Sequence, residues 1–74
     1  MTIRRFSVVN VDDYYEEATI QDYDGELFGS WFADEWTVDI RRAFGADGEF
    51  NETEAERIIR RYIRNTFGKS AVLI

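Results

Sequence analysis

The clearest periodicity in the chain lies in residues 51–67, NETEAERIIRRYIRNTF. Ala55, Ile58, Ile59, Tyr62, Ile63, Thr66 and Phe67 recur at three- and four-residue steps, the spacing of one face of an α-helix. Arg57, Arg60, Arg61 and Arg64 fall on the opposite face. Thr53 with Glu56, or Asn51 with Glu54, has the capping-box pattern. Acids lead and arginines trail, as the helix dipole favours. Gly68 is placed to end the helix in a left-handed conformation.

Elsewhere the pattern changes period. Residues 2–11, TIRRFSVVNV, are rich in β-branched side chains and predict a strand. Phe6 and Val8 share one face, and Ile3, Val9 and Val11 fall largely on the other. Apolar character on both faces implies an inner strand or a bulge that switches faces. Residues 18–32 predict a hairpin turning at Asp24-Gly25. That register sets Tyr23 opposite Glu26, Ile20 opposite Gly29 and Ala18 opposite Trp31. Residues 33–44 admit two periods: Trp36, Ile40 and Phe44 step by four, whereas Trp36, Val38 and Ile40 alternate. Leading acids and trailing arginines favour the helix. Residues 45–50 read as a turn and 70–74 as a short final strand. The expected fold is α+β: an antiparallel sheet of three to four strands with two helices on one face, in the order β-β-β-α-α-β. The expected core is Phe6, Val8, Ala18, Ile20, Leu27, Trp31, Trp36, Ile40, Phe44, Ile58, Ile59, Tyr62, Ile63, Phe67, Val72 and Leu73.

With 74 residues the chain is one domain, with 45% apolar residues and a core that must be economical. Two Trp, four Tyr and six Phe supply large apolar area. Cys, His and Pro are absent. There is therefore no thiolate or imidazole metal ligand and no proline-rich linker. No apolar run approaches the ~20 residues of a membrane span, and no signal-peptide core follows MTIRRF. The expectation is a soluble, cytoplasmic protein with no membrane partner.

Charge is distributed unevenly. The net charge is −6, yet residues 6–40 contain no Lys or Arg. That stretch holds Asp12, Asp13, Glu16, Glu17, Asp22, Asp24, Glu26, Asp34, Glu35 and Asp39. Residues 41–74 hold seven bases against five acids. Residues 12–17, DDYYEE, form a dense acidic loop bearing Tyr14 and Tyr15.

Catalytic motifs are lacking. Ser7, Ser30 and Ser70 have no histidine to activate them, and nothing supports pairing with Lys69. Paired carboxylates need a pocket that separates their pKa values, for which the chain is small. Gly48, Phe50 and Glu54 echo the second half of an EF-hand loop, but Ala43 and Gly45 stand where its first carboxylates belong. Asp22, Asp24 and Glu26 flank a turn and read as solvated acids. No enzyme activity, cofactor or metal is expected.

Two charged surfaces remain. Arg57, Arg60, Arg61 and Arg64 would suit phosphates, against the interleaved glutamates and overall acidity. The acids Asp12, Asp13, Glu16, Glu17, Asp22, Asp24, Glu26, Asp34 and Glu35, with Tyr14 and Tyr15, form the alternative. Residues two apart on a strand are about 6.5–7 Å apart, close to the roughly 7 Å between phosphates of one DNA strand. In size, acidity, aromatic richness and lack of Cys and His, the chain resembles the small phage-encoded inhibitors of bacterial defence, anti-CRISPR proteins and DNA mimics among them. That resemblance is one of character, carried by no motif. It implies a non-enzymatic inhibitor, in the cytoplasm of a bacterial host, that binds a CRISPR or restriction complex through an acidic surface. The other readings are a structural or interaction protein that pairs as a homodimer, and a nucleic-acid binder using the arginine face. A monomer is favoured, because pairing through the acidic loops would hide that surface.

Overall fold

The computed structural model describes residues 3–23 and 32–74. Four strands, β1 (Arg4–Asp12), β2 (Glu17–Tyr23), β3 (Phe32–Asp39) and β4 (Ala71–Leu73), form one sheet in the order β3-β2-β1-β4. A 3-10 turn, Arg41–Ala43, and one long helix, α1 (Glu52–Phe67), lie between β3 and β4. β1 pairs antiparallel with β2, and β2 with β3, but β4 runs parallel to β1. The fold is thus α+β with a mixed sheet rather than an antiparallel one. Among the described residues it has one helix and a 3-10 turn rather than two helices. No helix among the described residues is long and apolar enough to cross a membrane.

Residues 33–44 are the main correction. They supply most of β3 and the 3-10 turn, so the two-residue period prevails over the four-residue one. The reason is the partner. Ala18 and Ile20 of β2 are fully buried, and they sit opposite Val38 and Trp36. Alternation lets Trp36, Val38 and Ile40 meet that apolar row, which a helix could not do along its length. The hairpin register fails for the same reason: Tyr23 pairs with Phe32, Ile20 with Trp36 and Ala18 with Val38. The Asp24-Gly25 turn, Leu27 and Trp31 lie outside the described residues.

In β1 the bulge occurs. Val8 sits opposite Ile20 and Asn10 opposite Thr19, which leaves Val9 as the extra residue. Val11, opposite the buried Ala18, thereby joins the face of Phe6 and Val8. Helix α1 lies over this inner face and buries Ala55, Ile59 and Ile63 at four-residue steps. Its N-cap is Asn51, whose side chain accepts from Glu54 N–H at 3.0 Å. At the other end Gly68 N–H donates to the Arg64 carbonyl. Gly68 has φ 102 and ψ 175, a positive-φ but extended conformation rather than the left-handed helical one expected. A side chain is strained there whatever the space.

The core holds Phe6, Ala18, Ile20, Val38, Ile40, Ala43, Ala55, Ile59, Ile63 and Ala71. Trp36, Phe44, Ile58, Tyr62, Phe67 and Leu73 are half-buried against it. Val8 and Val72, expected inside, are exposed. Each fully buried Ile contributes about 1.5–3 kcal/mol relative to exposure. Phe6 is the aromatic centre: its ring lies 4.5 Å from Phe67 and 5.8 Å edge-on from Trp36.

Candidate acidic interaction surface

The outer face of the sheet is built by alternation. Because Ala18, Ile20 and Val38 point inward, Glu17, Thr19, Thr37 and Asp39 point outward. Register then places Asp12 opposite Glu17 and Glu17 opposite Asp39. Three carboxylates therefore lie in one row across three strands, with neighbours about 4.8 Å apart in backbone spacing. The carboxylates do not repeat along a single strand, as phosphate spacing had suggested. On β2 the outer positions after Glu17 are Thr19 and Gln21. Gln21 donates from Nε2 to Glu35 Oε1 on β3.

The turn after β1 extends the row. Asp12 Oδ1 accepts from the backbone N–H groups of Tyr14 at 3.0 Å and Tyr15 at 3.2 Å. Glu16 has φ 55, the left-handed region, and its carbonyl accepts from Ile40 N–H at 3.0 Å. Pinned at both ends, the turn holds Tyr14 and Tyr15 out into solvent, 85% and 64% exposed. Their rings meet edge-on at 4.9 Å. Asp13 and Glu17 are exposed beside them, and Glu16 is half-buried.

Within the row one acid has a cation. Arg41 donates from Nη2 to Asp39 Oδ2 at 2.7 Å and from its backbone N–H to Oδ1 at 2.9 Å. These hydrogen bonds, side-chain first, hold the Asp39 carboxyl below its ordinary value, and the side-chain bond, with the Asp39 charge, raises the Arg41 guanidinium above its own. A carboxylate depressed on folding stabilises the fold above its unfolded pKa. That contribution is lost as pH falls below the ordinary aspartate range, through the folded value.

The remaining sequence candidates are scattered. Asp22 is on the inner face, not the surface, and is buried. Arg4 meets its Oδ2 at 2.7 Å while its guanidinium lies 4.8 Å over the Phe67 ring. Asp22 Oδ1 has no hydrogen-bond partner among the described residues. Asp34 and Glu35 are exposed towards the far end of β3. Asp24 and Glu26 lie outside the described residues.

The arginine stripe of α1 divides. Arg57 pairs with Glu54 at 3.3 Å and Arg60 with Glu56 at 2.7 Å. Arg60 also donates to the Leu73 carbonyl. Arg57 and Arg61 face a cleft of about 800 Å³ shared with Arg41 and Arg42 of the 3-10 turn. The last two lay in the segment read as a second helix, so this proximity was not visible in the sequence. Residues 45–50 form a tight loop with Gly48 at φ 82, closed by the Phe44–Phe50 bridge. Asp47 Oδ1 there accepts from Glu49 N–H. No group of three or more Asp and Glu among the described residues could hold a metal ion. No protein-family model matches this chain, and comparison with curated proteins and with solved structures returned no match.

Proposed function

We propose that the chain is a non-enzymatic interaction protein that presents its acidic outer face to a basic, nucleic-acid-binding groove on a partner complex. A bacterial defence complex of the CRISPR or restriction kind is the partner this reading names. The observation that carries it is the Asp12–Glu17–Asp39 row, continued by Asp13, Glu16 and two outward tyrosines. Like charges directly opposite one another on a sheet are destabilising. Asp39 is paired with Arg41 and Asp12 caps the turn, so the reading rests on Glu17 between them and on Asp13 and Glu16 beside it. The tyrosines offer rigid, amphipathic anchors of the kind enriched where interfaces bind tightly. The nucleic-acid reading of α1 is weakened, because Glu54 and Glu56 already engage two of its four guanidinium groups.

The test is competitive capture. The immobilised protein is exposed to bacterial lysate and washed with short duplex DNA. Nucleic-acid-binding proteins released by the duplex are the expected catch. The Asp13→Lys/Glu17→Lys variant, melting near wild type, should lose them. Equal capture by that variant, or capture that duplex DNA does not displace, would refute the reading. Asp12 is left intact because its carboxylate holds the turn.

A further inference from the structure

Four guanidinium groups converge on the cleft between α1 and the 3-10 turn. Arg57 and Arg61 stand one helical turn apart and share a face of α1. The 3-10 turn sets Arg41 and Arg42 against that face, tied there by Asn51 N–H, which donates to the Ala43 carbonyl at 2.7 Å. Arg60 and Arg64, the rest of the stripe, do not line the cleft. Its volume of about 800 Å³ falls within the ~300–1,000 Å³ of small-molecule sites.

Two acids, Asp39 and Glu54, also line it, and each holds one arginine without using all its donors. Asp39 takes Nε and Nη2 of Arg41, which leaves Nη1. Glu54 takes Nη1 of Arg57 at 3.3 Å, which leaves Nε and Nη2. Side chains already held lose less freedom when a ligand binds. Arg42 and Arg61 form no ion pair among the described residues. Four guanidinium groups against two carboxylates leave two positive charges in excess. A phosphate monoester carries about −1.5 to −2 near neutral pH, whereas a carboxylate ligand carries a single charge. Arginine forks also match phosphate oxygens geometrically.

The half-buried Ile58 and Tyr62 give the cleft an apolar side, and Asn65 and Thr66 add neutral donors. Low-dielectric walls strengthen the attraction between a bound anion and the arginines. The positive surface is short. Past Arg42 lie Asp47, Glu49 and Glu52, and Arg41 abuts Asp39 of the outer row. A nucleic-acid strand leaving the cleft past either arginine of the turn would meet carboxylates, and a compact anion would not.

We propose that this cleft binds a small phosphate ester, its phosphate among Arg41, Arg42, Arg57 and Arg61 and its apolar body on Ile58 and Tyr62. The site shares only Asp39 with the acidic row and does not depend on the function proposed for that row.

The ¹⁵N-labelled full chain, titrated separately with phenyl phosphate, inorganic phosphate, benzoate and a short single-stranded oligonucleotide, tests this. Phenyl phosphate should shift the side-chain Nε–H signals of Arg42, Arg57 and Arg61 and the amide of Tyr62. Benzoate should bind at least about tenfold more weakly, and inorganic phosphate more weakly than the ester. Arg42→Gln/Arg61→Gln, melting near wild type, should lose at least about tenfold in affinity for phenyl phosphate. Arg60→Gln/Arg64→Gln, which spares the cleft, should bind as wild type. No shift at ~10 mM phenyl phosphate, equal binding of benzoate or of inorganic phosphate, or unchanged affinity in Arg42→Gln/Arg61→Gln would overturn the proposal. So would tighter binding of the oligonucleotide with shifts at Arg60 and Arg64, which would give the helix face to nucleic acid.

Discussion

On α1, Glu54 meets Arg57 and Glu56 meets Arg60 within a single turn. On the outer face of the sheet, Glu17 has Asp12 on one side and Asp39 on the other. Both surfaces are densely charged, but on the helix Glu54 and Glu56 each meet an arginine, whereas in the sheet row Asp39 alone does so among the described residues, through Arg41. The helix pattern is what a solvated face needs, with each pair stabilising by about 0.2–0.5 kcal/mol. The sheet pattern opposes folding by a comparable amount per like-charged pair. Burial on the inner face offsets that opposition.

Both surfaces stand on the same core, so the largest effect comes from removing its centre. Phe6→Ala should cost about 3–5 kcal/mol, read as the shift in urea midpoint. A loss under ~1 kcal/mol would mean that the cluster with Trp36 and Phe67 does not support the sheet.

A smaller effect separates Asp22, an acid of the negative segment that is locked inside. Arg4 is partly exposed and Asp22 is not. Arg4→Met should therefore cost about 2–3 kcal/mol, somewhat less than for a fully buried pair, by leaving the carboxylate buried and uncompensated. Adding Asp22→Leu should recover most of that loss, because an apolar pair suits the site beside Phe6 and Phe67. Failure of the double variant to recover would show that Asp22 is held by more than Arg4.

Much of this architecture was legible from residues. The 51–67 helix, a first strand that is either inner or bulged (it is both), and the final strand all follow from local period and composition. They stand because each period is unopposed: Ile59 and Ile63 have no alternating competitor. Residues 33–44 misled because both periods are present, and a long-range fact decides between them. Ala18 and Ile20 need an apolar partner strand, and Val38 and Trp36 provide it. Dipole preference, worth a few tenths of a kcal/mol to about 1, could not outweigh the burial of that row. The acidic segment was visible as composition, but its geometry was not. Asp12, Glu17 and Asp39 are adjacent only because register sets them so. Asp22 left the surface because residues two apart on β2 share its buried face.

The smallest effect is also the most direct test, because its sign differs between the two faces. Glu17→Lys replaces the middle acid of the row, and Glu56→Lys breaks a helix pair. Denaturant unfolding of both variants, at low and at high salt, decides the matter. Glu17→Lys should gain about 0.5–1 kcal/mol at low salt, a gain that salt erodes. Glu56→Lys should lose about 0.3–0.5 kcal/mol. A Glu17→Lys variant less stable than wild type at low salt would show that the row is not repulsive, and would contradict the claim that the outer face holds charge at the expense of the fold.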